Sequence, residues 1–114
     1  MPVVNAYYRD LKYLSGLEAA SPALQSFVAE QLTCGDRSLQ PNEVSVRLLE
    51  AAGKRMLVDV ELDIFAAPYK ERVERQDEIC RNVKKFVLDS VQDLDDTNVW
   101  LILSELGHSH VDPS

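Results

Sequence analysis

The residue with the clearest chemical potential is Pro2, which directly follows the initiator methionine. A small second residue normally allows removal of that methionine, and the mature chain would then begin with a secondary amine. An ordinary α-amino group has a pKa near ~7.7 to 8.0, so a free Pro2 could exchange protons near neutral pH. If the methionine is retained, the same nitrogen belongs to a peptide bond and is not a base.

Histidine and cysteine side chains give weaker indications of chemistry. Cys34 and Cys80 have no motif spacing, and we expect both to be reduced, packed thiols. His108 and His110 form a short His-x-His, but no third metal ligand stands at a recognisable spacing. The sequence therefore predicts no metal site and no cofactor.

The composition favours a single globular domain. With 114 residues, of which 46% are hydrophobic, we expect one domain over 1–114, with halves of about 2–50 and 55–106. Twelve basic against nineteen acidic residues give a net charge of −7, so nucleic acid and anionic membranes are poor partners. No apolar run approaches the ~18 residues of a membrane span, and we expect a cytoplasmic protein.

The second half of the chain predicts a strand, a helix and a strand. Met56 to Phe65 alternates apolar residues with carboxylates, the period of a strand buried on one face. Tyr69 to Gln92 carries an apolar stripe after Pro68, which predicts an amphipathic helix. Val99 to Leu103 is almost continuously apolar and predicts a central strand covered on both faces.

The first half repeats this order less regularly. Val3 to Tyr8 predicts an interior strand, and Arg9 to Ala20 has no clear period and predicts a loop with at most a helical turn. Ser21–Pro22 predicts a helix start and Gly35 its end, before a strand at Val44 to Leu49.

Together the halves predict an α+β fold of duplicated β-α-β units, with a four-stranded mixed sheet and two helices on one face. Ala51 to Lys54 is short enough to join the halves as a hairpin. The uncovered sheet face would carry Tyr7, Leu49 and Phe65, and oligomerisation would bury it.

The Met-Pro start, the duplicated topology and two local sequences resemble the tautomerase superfamily. Residues 41–49, Pro-Asn-Glu-Val-Ser-Val-Arg-Leu-Leu, are similar to the second strand of 4-oxalocrotonate tautomerase, where a Ser-Val-Arg run carries a catalytic arginine. Residues 99–108 resemble that strand again, with Trp100 in the place of the arginine. The length and the fused halves resemble 5-carboxymethyl-2-hydroxymuconate isomerase and macrophage migration inhibitory factor, which are trimers.

The resemblance implies a tautomerase that acts on a small oxo or hydroxy carboxylic acid and forms a homotrimer. Pro2 would be the general base, and Arg47 would bind the substrate carboxylate or stabilise the enolate. Arg9 is a candidate second anion-binding group, and Tyr7 could line the pocket. A nearby guanidinium would favour neutral Pro2, whereas nearby carboxylates would keep it protonated.

Several alternatives stay open at this point. Arg47 could instead pair with Asp59 or Glu61, and Trp100 could pack in the core or in a subunit interface rather than stack on a substrate. The chain could be a non-catalytic oligomer of this fold that binds a small anion or a protein partner. A ferredoxin-like regulatory module has the same order of strands and helices, and a dimer rather than a trimer would favour it.

Overall fold

A computed structural model describes residues 2–35, 38–51 and 56–104 of the chain. Its four strands form one mixed sheet in the order β2-β1-β3-β4. The strands are β1 (Val3–Tyr8), β2 (Ser45–Glu50), β3 (Val60–Ala66) and β4 (Thr97–Leu103). β1 pairs in parallel with β2 and antiparallel with β3, and β3 pairs in parallel with β4. The interior position expected for β1 is confirmed.

The helices cover one face of this sheet, so the predicted α+β class is confirmed. They are α1 (Leu14–Leu32), α2 (Lys70–Glu74) and α3 (Gln76–Ser90). Short 3-10 turns precede α1 at Leu11–Tyr13 and β2 at Pro41–Glu43. The core lies between helices and sheet, and its largest fully buried side chains include Leu32, Leu62, Ile64 and Ile79. None of the helices within the described ranges is long and apolar enough to cross a membrane.

The first helix begins eight residues before Pro22, its predicted first helical residue. α1 begins at Leu14, so Pro22 lies inside it rather than at its first turn. The Ser21 hydroxyl donates to the Leu17 carbonyl at 2.7 Å, a bond made within the helix rather than at a cap. Pro22 is exposed, and the apolar face continues on both sides of it. That face consists of Leu17, Leu24, Val28, Ala29 and Leu32. Packing of this face against the sheet therefore overrides the local helix-start signal.

The strand order overturns two further predictions. The predicted hairpin is wrong, because β1 lies between β2 and β3. Most of its proposed turn, residues 52–55, lies outside the described residues. The central position expected for Val99 to Leu103 is wrong as well, because β4 is an edge strand. Two of its side chains are exposed, Trp100 at 54% and Ile102 at 37%. The run is therefore apolar on both faces of β4, although the described part of this chain covers only one of these faces.

Two element boundaries in the second half also differ from the prediction. β3 begins at Val60 rather than Met56, because the preceding residues form bends. The predicted long helix is divided by a turn at Arg75, whose φ and ψ of −103° and 12° separate α2 from α3. The alternation itself holds, since Val60, Leu62 and Ile64 are fully buried.

Candidate functional site

The sheet face opposite the helices is here called the open face. Its side chains form three rows that run across the strands, and Arg47, Tyr7 and Trp100 lie in these rows. The central row crosses all four strands, because Asn5 pairs in register with Arg47 and Asp63, and Asp63 pairs with Trp100. The flanking rows are Ser45, Val3, Phe65 and Ile102 on one side and Leu49, Tyr7, Glu61 and Asn98 on the other. Polar groups therefore occupy the middle of a face that also carries apolar side chains.

Pro2 stands immediately before the central strand and is buried. Its carbonyl accepts a hydrogen bond from the Ser45 backbone N–H at 3.0 Å. This bond continues the parallel pairing of β1 with β2 by one step, so the backbone of Pro2 is held by the sheet. A group at a fixed place beside a rigid strand is suited to repeated proton transfer at one position.

Arg47 projects from β2 on the open face and is held by an uncharged partner. Its Nε donates to Oδ1 of Asn5 at 2.9 Å, and the Asn5 side chain is nearly buried at 9% exposure. None of the described residues accepts a hydrogen bond from the two terminal nitrogens of Arg47. Arg47 lies opposite Asn5, three residues along β1 from Pro2, which corresponds to about 10 Å at the usual strand rise.

Arg9 lies at the other end of β1, about 23 Å from Pro2 at the same rise. It forms a salt bridge with Asp59, and its Nη1 donates to the Met56 carbonyl at 3.1 Å. Tyr7 occupies the open face next to Leu49, toward that same end. One chain therefore brings Pro2 and Arg47 near each other but does not bring Arg9 to them.

The two carboxylates that could have paired with Arg47, those of Asp59 and Glu61, have other partners. Asp59 is taken by Arg9, and Glu61 accepts a hydrogen bond from Trp100 Nε1 at 2.6 Å. Asp63 is half-buried in the central row. Its burial first, and then the charge of Glu61, raise the pKa of the Asp63 carboxyl above its ordinary value of 3.8.

Asp63→Asn is expected to raise the unfolding temperature at pH 7. Because the pKa of Asp63 is raised in the folded state, that state holds this proton more tightly than the unfolded chain. The free energy that Asp63 contributes to folding is therefore greatest below the pKa that this carboxyl has in the unfolded chain. It falls as the pH rises above about 4. Thermal unfolding should show the gain at pH 7 and no gain at pH 3. Asp77→Asn, which removes an exposed carboxylate on α3, is the matched control; an equal gain in both variants would contradict the prediction.

Asn5 is the residue of this site that sequence reasoning missed. The available signal was its amide within a strand of valine, alanine and tyrosine, at a position that strand pairing was expected to bury. A polar side chain there needs a partner. The partner could not be identified beforehand because it lies 42 positions away on β2.

The remaining sequence candidates do not form a site among the residues described. His108 and His110 lie outside them. Cys34 and Cys80 are free thiols, and burial raises the pKa of the Cys80 thiol. No group of three or more His, Cys, Asp or Glu side chains within 2–35, 38–51 and 56–104 could hold a metal ion.

Comparison with solved structures identifies the architecture. Malonate semialdehyde decarboxylase matches with a TM-score of 0.55 and 12% identity, over 96% of this chain and 92% of that one. A macrophage migration inhibitory factor-like protein from Entamoeba histolytica matches with a TM-score of 0.50 and 10% identity, over 92% and 86%. The chain has the tautomerase fold. No protein-family model matches the sequence, and no curated protein matches it.

At these identities the likeness to other tautomerase folds concerns the path of the backbone and not the site. It confirms the architecture that the resemblance in sequence implied, with two β-α-β units in one sheet. The roles of Pro2, Arg47, Arg9 and Tyr7 need their own argument from the geometry.

Proposed function

We propose that the protein is a keto-enol tautomerase that uses Pro2, freed by removal of Met1, as the general base. Its substrate would be a small oxo or hydroxy carboxylic acid. The observation that carries the proposal is the position of buried Pro2 at the start of the central strand, with the terminal nitrogens of Arg47 available on the adjacent strand.

The reaction needs only a base and a cation. Neutral Pro2 would remove a proton from the carbon next to the carbonyl. The electron pair of the C–H bond would form the new C=C bond, and the π pair of the C=O bond would move onto the carbonyl oxygen. The proton would then return to that oxygen and give the enol, and the reverse steps would give the ketone. The two terminal nitrogens of Arg47 match the two oxygens of a carboxylate. In a 2-oxo acid the enolate oxygen lies beside that carboxylate, so the same guanidinium would stabilise charge that develops during the reaction.

The local charges oppose one another at Pro2. Burial and the Arg47 guanidinium favour the neutral amine, whereas Glu61 and Asp63 favour the protonated one. Glu61 is engaged by the indole of Trp100, and Asp63 is separated from Arg47 by the Asn5 strand. We infer that this arrangement keeps the guanidinium, rather than a carboxylate, as the charge that acts most directly on the bound substrate.

A structural neighbour supports the choice of Pro2. The malonate semialdehyde decarboxylase structures include a variant in which its first proline is replaced by alanine, and they concern decarboxylase and hydratase activities of that protein. A proline at the corresponding start of a chain with the same fold is therefore a reasonable base to test here. Arg9 and Tyr7 belong to the proposal only if an assembly brings them to another copy's Pro2.

We also propose that the protein is a homotrimer. Trp100, Ile102 and Leu49 are exposed at 54%, 37% and 37%, and all three lie on the open face at the edge strands. Large apolar side chains gathered at the edges of a sheet are typical of subunit contacts. A trimer would also cover the apolar second face of β4.

The test is turnover of phenylenolpyruvate, a general keto-enol probe, by wild type and Pro2→Ala, with intact and native mass measured on the same samples. We expect loss of Met1, a native mass three times that of the chain, and a fall of at least about tenfold in kcat/KM, or ~1.4 kcal/mol in the barrier. The fall is limited because alanine leaves a primary amine. Pro22→Ala changes an exposed proline on α1 and should keep the wild-type rate.

Retention of Met1, or equal rates for wild type and Pro2→Ala, would overturn the catalytic proposal. The same exposed face would then favour the alternative, a non-catalytic oligomer of this fold that binds a small anion or a protein partner.

A further inference from the structure

We propose that the open face selects ligands with a single carboxylate, which Arg47 binds, and an uncharged remainder. The inference rests on the proposed function and narrows its substrate class to monocarboxylates. It depends on how the charged side chains of the described residues are distributed over the open face.

Arg47 is the one basic side chain among the described residues of the open face. Asn5 holds it through Nε, so the guanidinium is oriented without being neutralised. A carboxylate in place of the Asn5 amide would have occupied the cation before any ligand arrived. The two terminal nitrogens of Arg47 can therefore donate hydrogen bonds to the two oxygens of one ligand carboxylate.

The rest of the open face carries negative charge. Asp63 lies in the same row as Arg47 beyond Asn5, and Glu61 lies two residues earlier on β3. Neither carboxylate forms a salt bridge with a cation in the described part of the chain. Burial first, and then the charge of Glu61, raise the pKa of the Asp63 carboxyl, and an anionic ligand group beside these carboxylates would meet the same kind of repulsion.

Arg9 does not compensate for these carboxylates. Its guanidinium is bound to Asp59 and the Met56 carbonyl at the far end of β1. Once a ligand carboxylate occupies Arg47, a second one would meet Asp63 and Glu61 with no cation of the same chain opposite it. Hydroxyl, amide and aromatic groups meet no such repulsion and can contact the partly exposed Tyr7 or Phe65.

The experiment compares two unreactive ligands of nearly the same shape, 4-carbamoylcinnamate with one carboxylate and 4-carboxycinnamate with two. Trp100 is the single tryptophan of the chain and lies on the open face, so quenching of its fluorescence at an unchanged native mass reports binding there. At pH 7.5 we expect the monoanion to bind at least about tenfold more tightly than the dianion. Asp63→Asn should reduce that ratio to about threefold or less, and Asp77→Asn, on the helical side, should leave it unchanged.

A dianion that binds as tightly as the monoanion, or more tightly, would overturn the inference and would indicate a further cation supplied by a second copy. A ratio that does not respond to Asp63→Asn would overturn it as well, and so would failure of both ligands to bind. Because cinnamates need no base, these results are independent of Pro2. Turnover of phenylenolpyruvate together with tighter dianion binding would reject the monocarboxylate class and leave the tautomerase proposal standing.

Discussion

Replacement of Arg47 by alanine is expected to lower kcat/KM for phenylenolpyruvate about 100-fold, or ~2.7 kcal/mol in transition-state stabilisation. The guanidinium would bind the carboxylate in the ground state and would stabilise the enolate oxygen only as charge develops. The loss should therefore appear in kcat as well as in KM. Steady-state kinetics of the purified variant measure both quantities.

Two further variants separate the contact from the charge. Arg47→Lys keeps one positive charge but loses the Nε donor to Asn5 and the planar pair of terminal nitrogens. We expect its kcat/KM to lie between those of wild type and Arg47→Ala. Arg81→Ala removes an exposed arginine on α3 and should retain the wild-type rate. An Arg47→Ala variant with wild-type kinetics would exclude this residue from the reaction.

The second large effect concerns stability and centres on Arg72, which is only 5% exposed although it is charged. Its Nε donates to the Leu32 carbonyl at 2.9 Å and its Nη1 to the Ala67 carbonyl at 3.2 Å. The guanidinium carbon also lies 4.7 Å from the centre of the Tyr69 ring. Helix α1 has no basic residue in its last turn, so Arg72 supplies the cation that the carbonyl end of that helix favours.

Arg72→Met is expected to lower the free energy of unfolding by about 3 kcal/mol. Methionine keeps much of the apolar stem, but it leaves the Leu32 and Ala67 carbonyls without the charged donor. Urea denaturation at one fixed protein concentration measures the loss, since association would otherwise shift the midpoint. We expect an unchanged m-value.

Arg81→Met is the matched control for the stability measurement. Arg81 is exposed on the neighbouring helix α3, and its replacement should change the free energy of unfolding by less than about 0.5 kcal/mol. A loss under about 1 kcal/mol in Arg72→Met would show that water replaces the buried guanidinium as a donor and that Arg72 does not cap α1.

Local periodicity was sufficient to predict the four strands and most of the residues that lie in helices. The alternation through Val60, Leu62 and Ile64 identified a strand and its buried face, because successive side chains of a strand point to opposite sides. The helical period failed at Arg9 to Ala20, where 3-10 and α-helical turns replace the predicted loop. There the deciding contacts are those of Tyr13 and Leu17 with a core built from distant strands.

The sequence by itself determined the α+β class and the two β-α-β units, since these follow from local period. It also indicated the candidates Pro2, from the Met-Pro start, and Arg47, from the resemblance of its Ser-Val-Arg run to the tautomerase superfamily. Only the tertiary structure decided that β1 separates β2 from β3. That order places Asn5 between Arg47 and Asp63 and leaves Trp100 on an edge. The physical reason is that pairing between strands depends on contacts across 40 or so positions, such as the one from Arg47 to Asn5 over 42. A side-chain period of two records which face a residue occupies and carries no information about which strand lies beside it.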